Sequence, residues 1–83
     1  MTNGKPRLTL DRLATYQIKV PGHLDESWAN WSWELTIVVD CEPDAQPITT
    51  LTGSFDQAAL QGLLRRLYSL GIPLISVIWV DFS

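Results

Sequence analysis

The sequence predicts an α+β fold: a single small domain with the element order β-β-β-α-β. Its mostly antiparallel four-stranded sheet carries one helix packed on one face. Residues 52–80 have the pattern of one amphipathic helix leading into one strand, and three shorter stretches before them have the composition of strands. A chain of 83 residues is enough for one domain. Chains of this size bury only about 60–65% of their unfolded surface, so good packing or association is needed for stability.

Three strands are predicted before the helix. Residues 16–20 alternate apolar and polar side chains, and residues 33–39 place Trp33, Leu35, Ile37 and Val39 on one face. Residues 48–52 are rich in threonine, and we expect them near an edge of the sheet. Residues 1–13 are predicted to be a flexible N-terminal arm, and residues 14–83 the domain.

The helix and the strand after it are the best-defined elements. Ser54 and Gln57 have the spacing of a capping box, whereas Gly71 and Pro73 predict the end of the helix. Leucines recur between them at steps of three and four residues, at positions 60, 63, 64, 67 and 70. Residues 74–80 are apolar on both faces, which predicts a strand buried on both sides. Because a crossover helix precedes this strand, we expect it to lie parallel to one neighbour in a sheet of order 3-2-1-4.

Composition excludes several classes of function. The net charge is −3 and the pI is about 4.7, so no general attraction for nucleic acid is expected. The longest apolar run is far shorter than a membrane span, and the first ten residues lack the apolar core of a signal peptide, which favours a cytoplasmic protein. Cys41 is the single cysteine and His23 the single histidine, and the acidic residues 40–51 lack the glycine and glutamate of a calcium loop. No metal and no cofactor are therefore predicted.

Two sequence blocks resemble a known family. They are Gly-His-Leu-Asp-x-x-Trp-x-x-Trp at residues 22–31 and Asp-Gln-Ala-Ala-Leu-x-Gly at residues 56–62. With Leu-Gly-x-Pro-Leu-Ile-Ser-Val at residues 70–77, they resemble a family of small uncharacterised bacterial proteins over roughly residues 16–77. The resemblance implies a compact α+β domain and transfers no catalytic residue.

The first candidate site is the tryptophan-rich loop after the first strand. It holds His23, Asp25, Trp28, Trp31 and Trp33. The indole rings are suited to the wall of a pocket for a small apolar ligand or a protein partner, and Asp25 is suited to orient His23 as a base. The simpler interpretation is that the tryptophans pack on the sheet as additional core, and that His23 and Asp25 bond backbone in the turn.

The second candidate site is the last strand, where Val77 and Trp79 are the predicted residues of a dimer interface. One helix covers only one face of the sheet, and a second copy of the chain would cover surplus apolar surface. The leading hypothesis is therefore a non-enzymatic interaction or regulatory module that acts as a homodimer. The alternative is a small-molecule binding protein that uses loop 23–33, and an enzyme is third.

Overall fold

The fold has the predicted element order. A computed structural model of the protein describes residues 7–24 and 35–82. The elements are strand β1 (Ala14–Pro21), strand β2 (Leu35–Asp40), strand β3 (Ile48–Phe55), helix α1 (Gln57–Ser69) and strand β4 (Ser76–Phe82). One four-stranded sheet forms, and every bonded pair of neighbours is antiparallel. The predicted α+β class and the predominance of antiparallel pairing are confirmed.

The order of the strands differs from the prediction. The sheet has the order β2-β3-β1-β4, not 3-2-1-4, and β4 lies antiparallel to its neighbour β1. Because β3 and β4 are both antiparallel to β1, they run in the same direction, as a crossover through α1 requires. The crossover passes over β1, so the strand parallel to β4 is not the strand bonded to it.

The expected edge position of β3 is also wrong, because β3 lies between β2 and β1. Thr50 and Thr52 lie opposite Lys19 and Gln17 on the sheet face that α1 does not cover. The threonine content of this strand therefore reflects a polar face. It does not reflect a position at the side of the sheet.

The core lies between α1 and the other face of the sheet. It is built from alternate residues of β1 and β3, one residue of β2 and the leucine stripe of α1. Its members are Ala14, Tyr16, Ile18, Val20, Leu35, Leu51, Phe55, Leu60, Leu63 and Leu67. The alternation predicted for residues 16–20 is confirmed by the strictly alternating burial of β1. Leu35, Ile37 and Val39 share one face of β2 as predicted, whereas Trp33 lies outside the described residues.

Gly53 makes room for the aromatic part of this core. A Cβ atom at this position would lie 2.9 Å from both Leu35 Cδ2 and Phe55 Cζ. That distance is shorter than van der Waals contact, so the ring of Phe55 packs over the backbone of its own strand only because residue 53 has no side chain.

Helix α1 begins two residues later than the capping box predicted. Asp56 is the N-cap, and its Oδ1 accepts a hydrogen bond of 2.8 Å from the backbone N–H of Ala59. Ser54 still belongs to β3 and Asp56 occupies the N-cap position, so the predicted capping box that starts at Ser54 is wrong. Gln57 instead donates from Nε2 to the hydroxyl of Tyr16 at 2.7 Å, which ties the first turn to β1.

The end of α1 agrees with the prediction. Gly71 has a φ of 76°, in the left-handed region that favours glycine, and its N–H donates to the carbonyl of Tyr68. The N–H of Ile72 donates to the carbonyl of Leu67, which completes the closing turn. In the described part of the chain, no helix has both the length and the apolar character needed to cross a bilayer.

Residues 7–13 approach the sheet and helix at one end. The carbonyl of Leu10 accepts a hydrogen bond from the N–H of Gln57, and the Arg12 guanidinium lies 3.7 Å from the centre of the Phe82 ring. These contacts connect the segment before β1 with the start of α1 and the end of β4.

Candidate interaction surface

Strand β4 lies at one edge of the sheet, with β1 as its neighbour. Val77 lies opposite Ile18 and Trp79 opposite Tyr16, so both side chains project from the face that carries the core. They are nevertheless 38% and 46% exposed. Helix α1 packs over β3 and the buried side of β1, and it leaves uncovered the part of this face that β4 forms.

The opposite face of β4 is apolar as well. Ile78 lies opposite Gln17 and is 46% exposed. The register between β1 and β4 shifts by one residue between Thr15 and Tyr16, which leaves Val80 as the extra residue of a bulge with 51% of its surface exposed. The prediction that this strand is buried on both sides is therefore wrong for the described residues. The pattern is that of a buried strand, and the strand lies at an edge with both faces accessible.

The exposed apolar surface continues upstream of the strand. Leu74 and Ile75 are also exposed, and a shallow groove lined by Tyr68, Gly71, Ile72 and Pro73 adjoins them at the end of α1. We define the β4 surface as Leu74, Ile75, Val77, Ile78, Trp79 and Val80. Contiguous exposed apolar side chains of this kind mark interaction sites more often than scattered ones do.

Charge on β4 is confined to its C-terminal end. Asp81 follows the bulge and is exposed, and its Oδ1 accepts a hydrogen bond from the N–H of Phe82. The Phe82 ring meets Trp79 edge-on, with 4.9 Å between the ring centres. The indole of Trp79 therefore packs against Phe82 on one side, while nearly half of its surface remains exposed.

Of the candidate residues in the tryptophan-rich loop, the structure describes only His23. His23 is exposed just after β1, next to Gly22, which has a φ of 89°. Asp25, Trp28, Trp31 and Trp33 lie outside the described residues. Of the two candidate sites, the structure therefore brings together the residues of the second, Val77 and Trp79. Sequence reasoning did not name Ile78 and Val80, although the same two-faced apolar pattern contains them.

The entry to this loop is fixed by a buried threonine. Thr49 is fully buried, donates from Oγ1 to the carbonyl of Gly22 at 2.7 Å, and accepts from the N–H of Leu24 at 3.2 Å. The N–H of Gly22 donates to the carbonyl of Pro47 at 2.7 Å. The chain leaving β1 is thus attached to the start of β3, and Leu24 packs against the core.

We expect Thr49→Val to lower the free energy of unfolding by about 1–3 kcal/mol, because an isosteric methyl leaves two partly buried backbone groups without their threonine partner. Urea denaturation at constant protein concentration measures the change. Thr50→Val is the matched control, since Thr50 lies on the uncovered face, and its effect should stay within about 0.5 kcal/mol. Equal effects of the two substitutions would contradict a stabilising role for the hydrogen bonds of Thr49 to Gly22 and Leu24.

The acidic turn between β2 and β3 offers little chemistry. Cys41 is exposed there, and the N–H of Ala45 donates to the carbonyl of Glu42. Across residues 7–24 and 35–82, the structure contains no group of three or more His, Cys, Asp or Glu side chains placed to hold a metal ion.

The fold and this surface define a small α+β domain whose open sheet ends in an apolar edge strand. The chain belongs to the family described as a domain of unknown function, DUF8691, whose model matches residues 15–78. The match extends from the second residue of β1 to the middle of β4, and so contains α1 and all of β2 and β3. Comparison with curated proteins and with solved structures found no match.

Proposed function

We propose that this protein is a small non-enzymatic interaction module that acts as a homodimer through the β4 surface. One observation carries the proposal: an edge strand presents apolar side chains on both faces, and more than a third of each of Val77, Ile78, Trp79 and Val80 is exposed. The hydrophobic effect favours removal of this surface from water. Its hydrocarbon and indole groups bury well, and they supply no general acid, base or nucleophile.

A second copy of the chain is the partner that this surface fits best. Closed two-fold dimers use the same patch on both subunits, so the patch must be complementary to itself. An apolar strand meets that condition, whereas a strongly charged patch would repel its own copy. The carboxylate of Asp81 lies at one end of β4, beyond the bulge, and so leaves the middle of the strand uncharged.

Substituting aspartate for Val77 or Trp79 should produce monomers. The new carboxylate would have to lose its hydration at the interface, and the cost of burying an unpaired charge exceeds the gain from the remaining contacts. Sedimentation equilibrium over a dilution series should give twice the 9.3 kDa chain mass for the unmodified protein and the single-chain mass for both variants. Thermal unfolding should depend on protein concentration only for the dimer.

The matched control is Val38→Asp on β2, at the other edge of the sheet. Val38 is 50% exposed, close to the exposure of Val77 and Trp79, and this variant should remain dimeric. The dilution series on the unmodified protein tests the proposal even where a variant does not fold. A single-chain mass at every concentration, or a monomer produced by Val38→Asp alone, would refute it.

A further inference from the structure

We infer that the two copies join edge to edge: β4 of one copy pairs antiparallel with β4 of the other about a two-fold axis at Ile78. The two four-stranded sheets then form one continuous sheet of eight strands. This inference rests on the proposed homodimer and specifies its geometry, which could otherwise be a packing of the β4 surfaces face to face.

The free edge of β4 provides the bonding groups. In a strand, alternate backbone N–H and C=O groups point to each side, and those on the outer side of β4 have no neighbouring strand within the described residues. A two-fold axis perpendicular to the sheet brings an identical edge alongside in the antiparallel direction. Each copy then supplies the donors and acceptors that the other lacks, and the apolar side chains of β4 gain cross-strand neighbours on both faces.

The other edge of the sheet is less suited to this pairing. Strand β2 exposes Thr36, Val38 and Asp40 along one face, so its one strongly exposed apolar side chain lies between two polar ones. Charged side chains on an edge strand are one feature by which proteins prevent edge-to-edge association. On β4 the comparable features, the bulge at Val80 and the carboxylate of Asp81, both lie toward the C-terminal end. The run from Ser76 to Trp79 is paired with β1 without interruption.

The side chains select the register. Residues directly opposite in an antiparallel pair point to the same face, so a perpendicular two-fold axis must pass beside a residue and not between two residues. An axis at Ile78 places Ile78 opposite its copy on the uncovered face. On the helix-covered face it places Val77 opposite Trp79 of the second copy, and this favourable aromatic–β-branched pair occurs twice.

The neighbouring registers are poorer. An axis at Val77 would set Ser76 against Ile78 of the second copy next to the centre, pairing a polar with an apolar side chain twice. An axis at Trp79 would set the bulged Val80 against Ile78, where the irregular backbone interrupts the hydrogen bonds. The axis at Ile78 keeps both faults away from the pairs next to the centre, because Ser76 then lies opposite the bulged Val80 at the second pair from the axis.

Cross-linking at the axis tests this geometry. Cys41 is first replaced by serine, because it is exposed and is the single cysteine of the chain. Opposite residues of an antiparallel pair have Cα atoms about 4.5–5.5 Å apart, within the range that a disulfide spans. Under mild oxidation, Ile78→Cys in the Cys41→Ser background should therefore convert to a disulfide-linked dimer on a non-reducing gel.

Two controls make the result specific. With the axis at Ile78, the two copies of residue 76 are four residues apart along the strands, or about 13 Å, so Ser76→Cys should not cross-link within the dimer. Val38→Cys reports random collision at the other edge, where the exposure of the side chain is similar. Ile78→Cys should cross-link at least about tenfold faster than either control, because the thiols of a preformed dimer have a high effective concentration.

The outcomes separate the two proposals. If the Cys41→Ser protein has the dimer mass and Ile78→Cys does not cross-link, or cross-links no faster than a control, edge pairing at Ile78 is wrong and the proposed homodimer stands. If the unmodified protein has the single-chain mass throughout the dilution series, both proposals are wrong. Faster cross-linking of Ile78→Cys in a dimer supports both.

Discussion

Replacing Phe55 with alanine should lower the free energy of unfolding by about 3–5 kcal/mol, the largest effect that we expect from a single truncation in this domain. Phe55 is 1% exposed at the end of β3, its ring centre lies 6.4 Å from that of Tyr16, and it packs over Gly53. Removing the ring leaves a cavity at the junction of β1, β3 and α1 that none of these elements can fill. Domains of about this length are typically stable by about 4–12 kcal/mol, so the variant should be partly unfolded at moderate temperature.

Tyr68→Ala is the control for the Phe55 variant. Tyr68 is also aromatic, and it is 84% exposed on α1. Its truncation therefore deletes mainly solvent-exposed atoms and opens no cavity. Chemical denaturation followed by far-ultraviolet circular dichroism compares the two variants at the same protein concentration. A loss below about 1 kcal/mol for Phe55→Ala would show that the ring does not pack in the core as described.

Leu67→Ala should cost about 2–5 kcal/mol, because Leu67 is fully buried in the leucine stripe that holds α1 on the sheet. Alanine has a high helix propensity, so the loss measures packing and not helix formation. The same denaturation experiment should show a lower midpoint with the slope of the transition unchanged.

The matched change is Leu70→Ala. Leu70 is the C-cap residue of the same helix and is 54% exposed, so the same chemical truncation there should cost less than about 1 kcal/mol. Comparable losses at the two positions would mean that the face of α1 toward the sheet is assigned incorrectly.

Local patterns predicted the elements well, since they report which face of an element is apolar. The alternation at Tyr16, Ile18 and Val20 and the stop at Gly71 each depend on residues close together in the chain. The start of α1 was misplaced because Ser54 and Asp56 are both suitable caps. The choice between them depends on β3 extending to Phe55, whose side chain completes the core.

Strand order and the candidate surface depend on contacts that no local pattern specifies. The residue types at positions 74–80 show that both faces of this strand are apolar. They do not show whether a sheet neighbour, a helix or another chain covers those faces. The sequence therefore predicted Val77 and Trp79 as interface residues without showing that the strand lies at an edge. Thr49 was missed for the same reason, because its partners Gly22 and Leu24 are distant in the chain.

The position of β1 has a consequence for how the domain folds. Of the three bonded strand pairs, only β2 with β3 joins strands consecutive in the chain, while β1 pairs with β3 and with β4, the last strand of the sheet. Long loops must close before these contacts form, so topology of this kind slows folding toward the range of milliseconds to seconds. Completion of the sheet on the ribosome must then wait until residues 76–82 are accessible, since the inner strand β1 lacks one neighbour until they arrive.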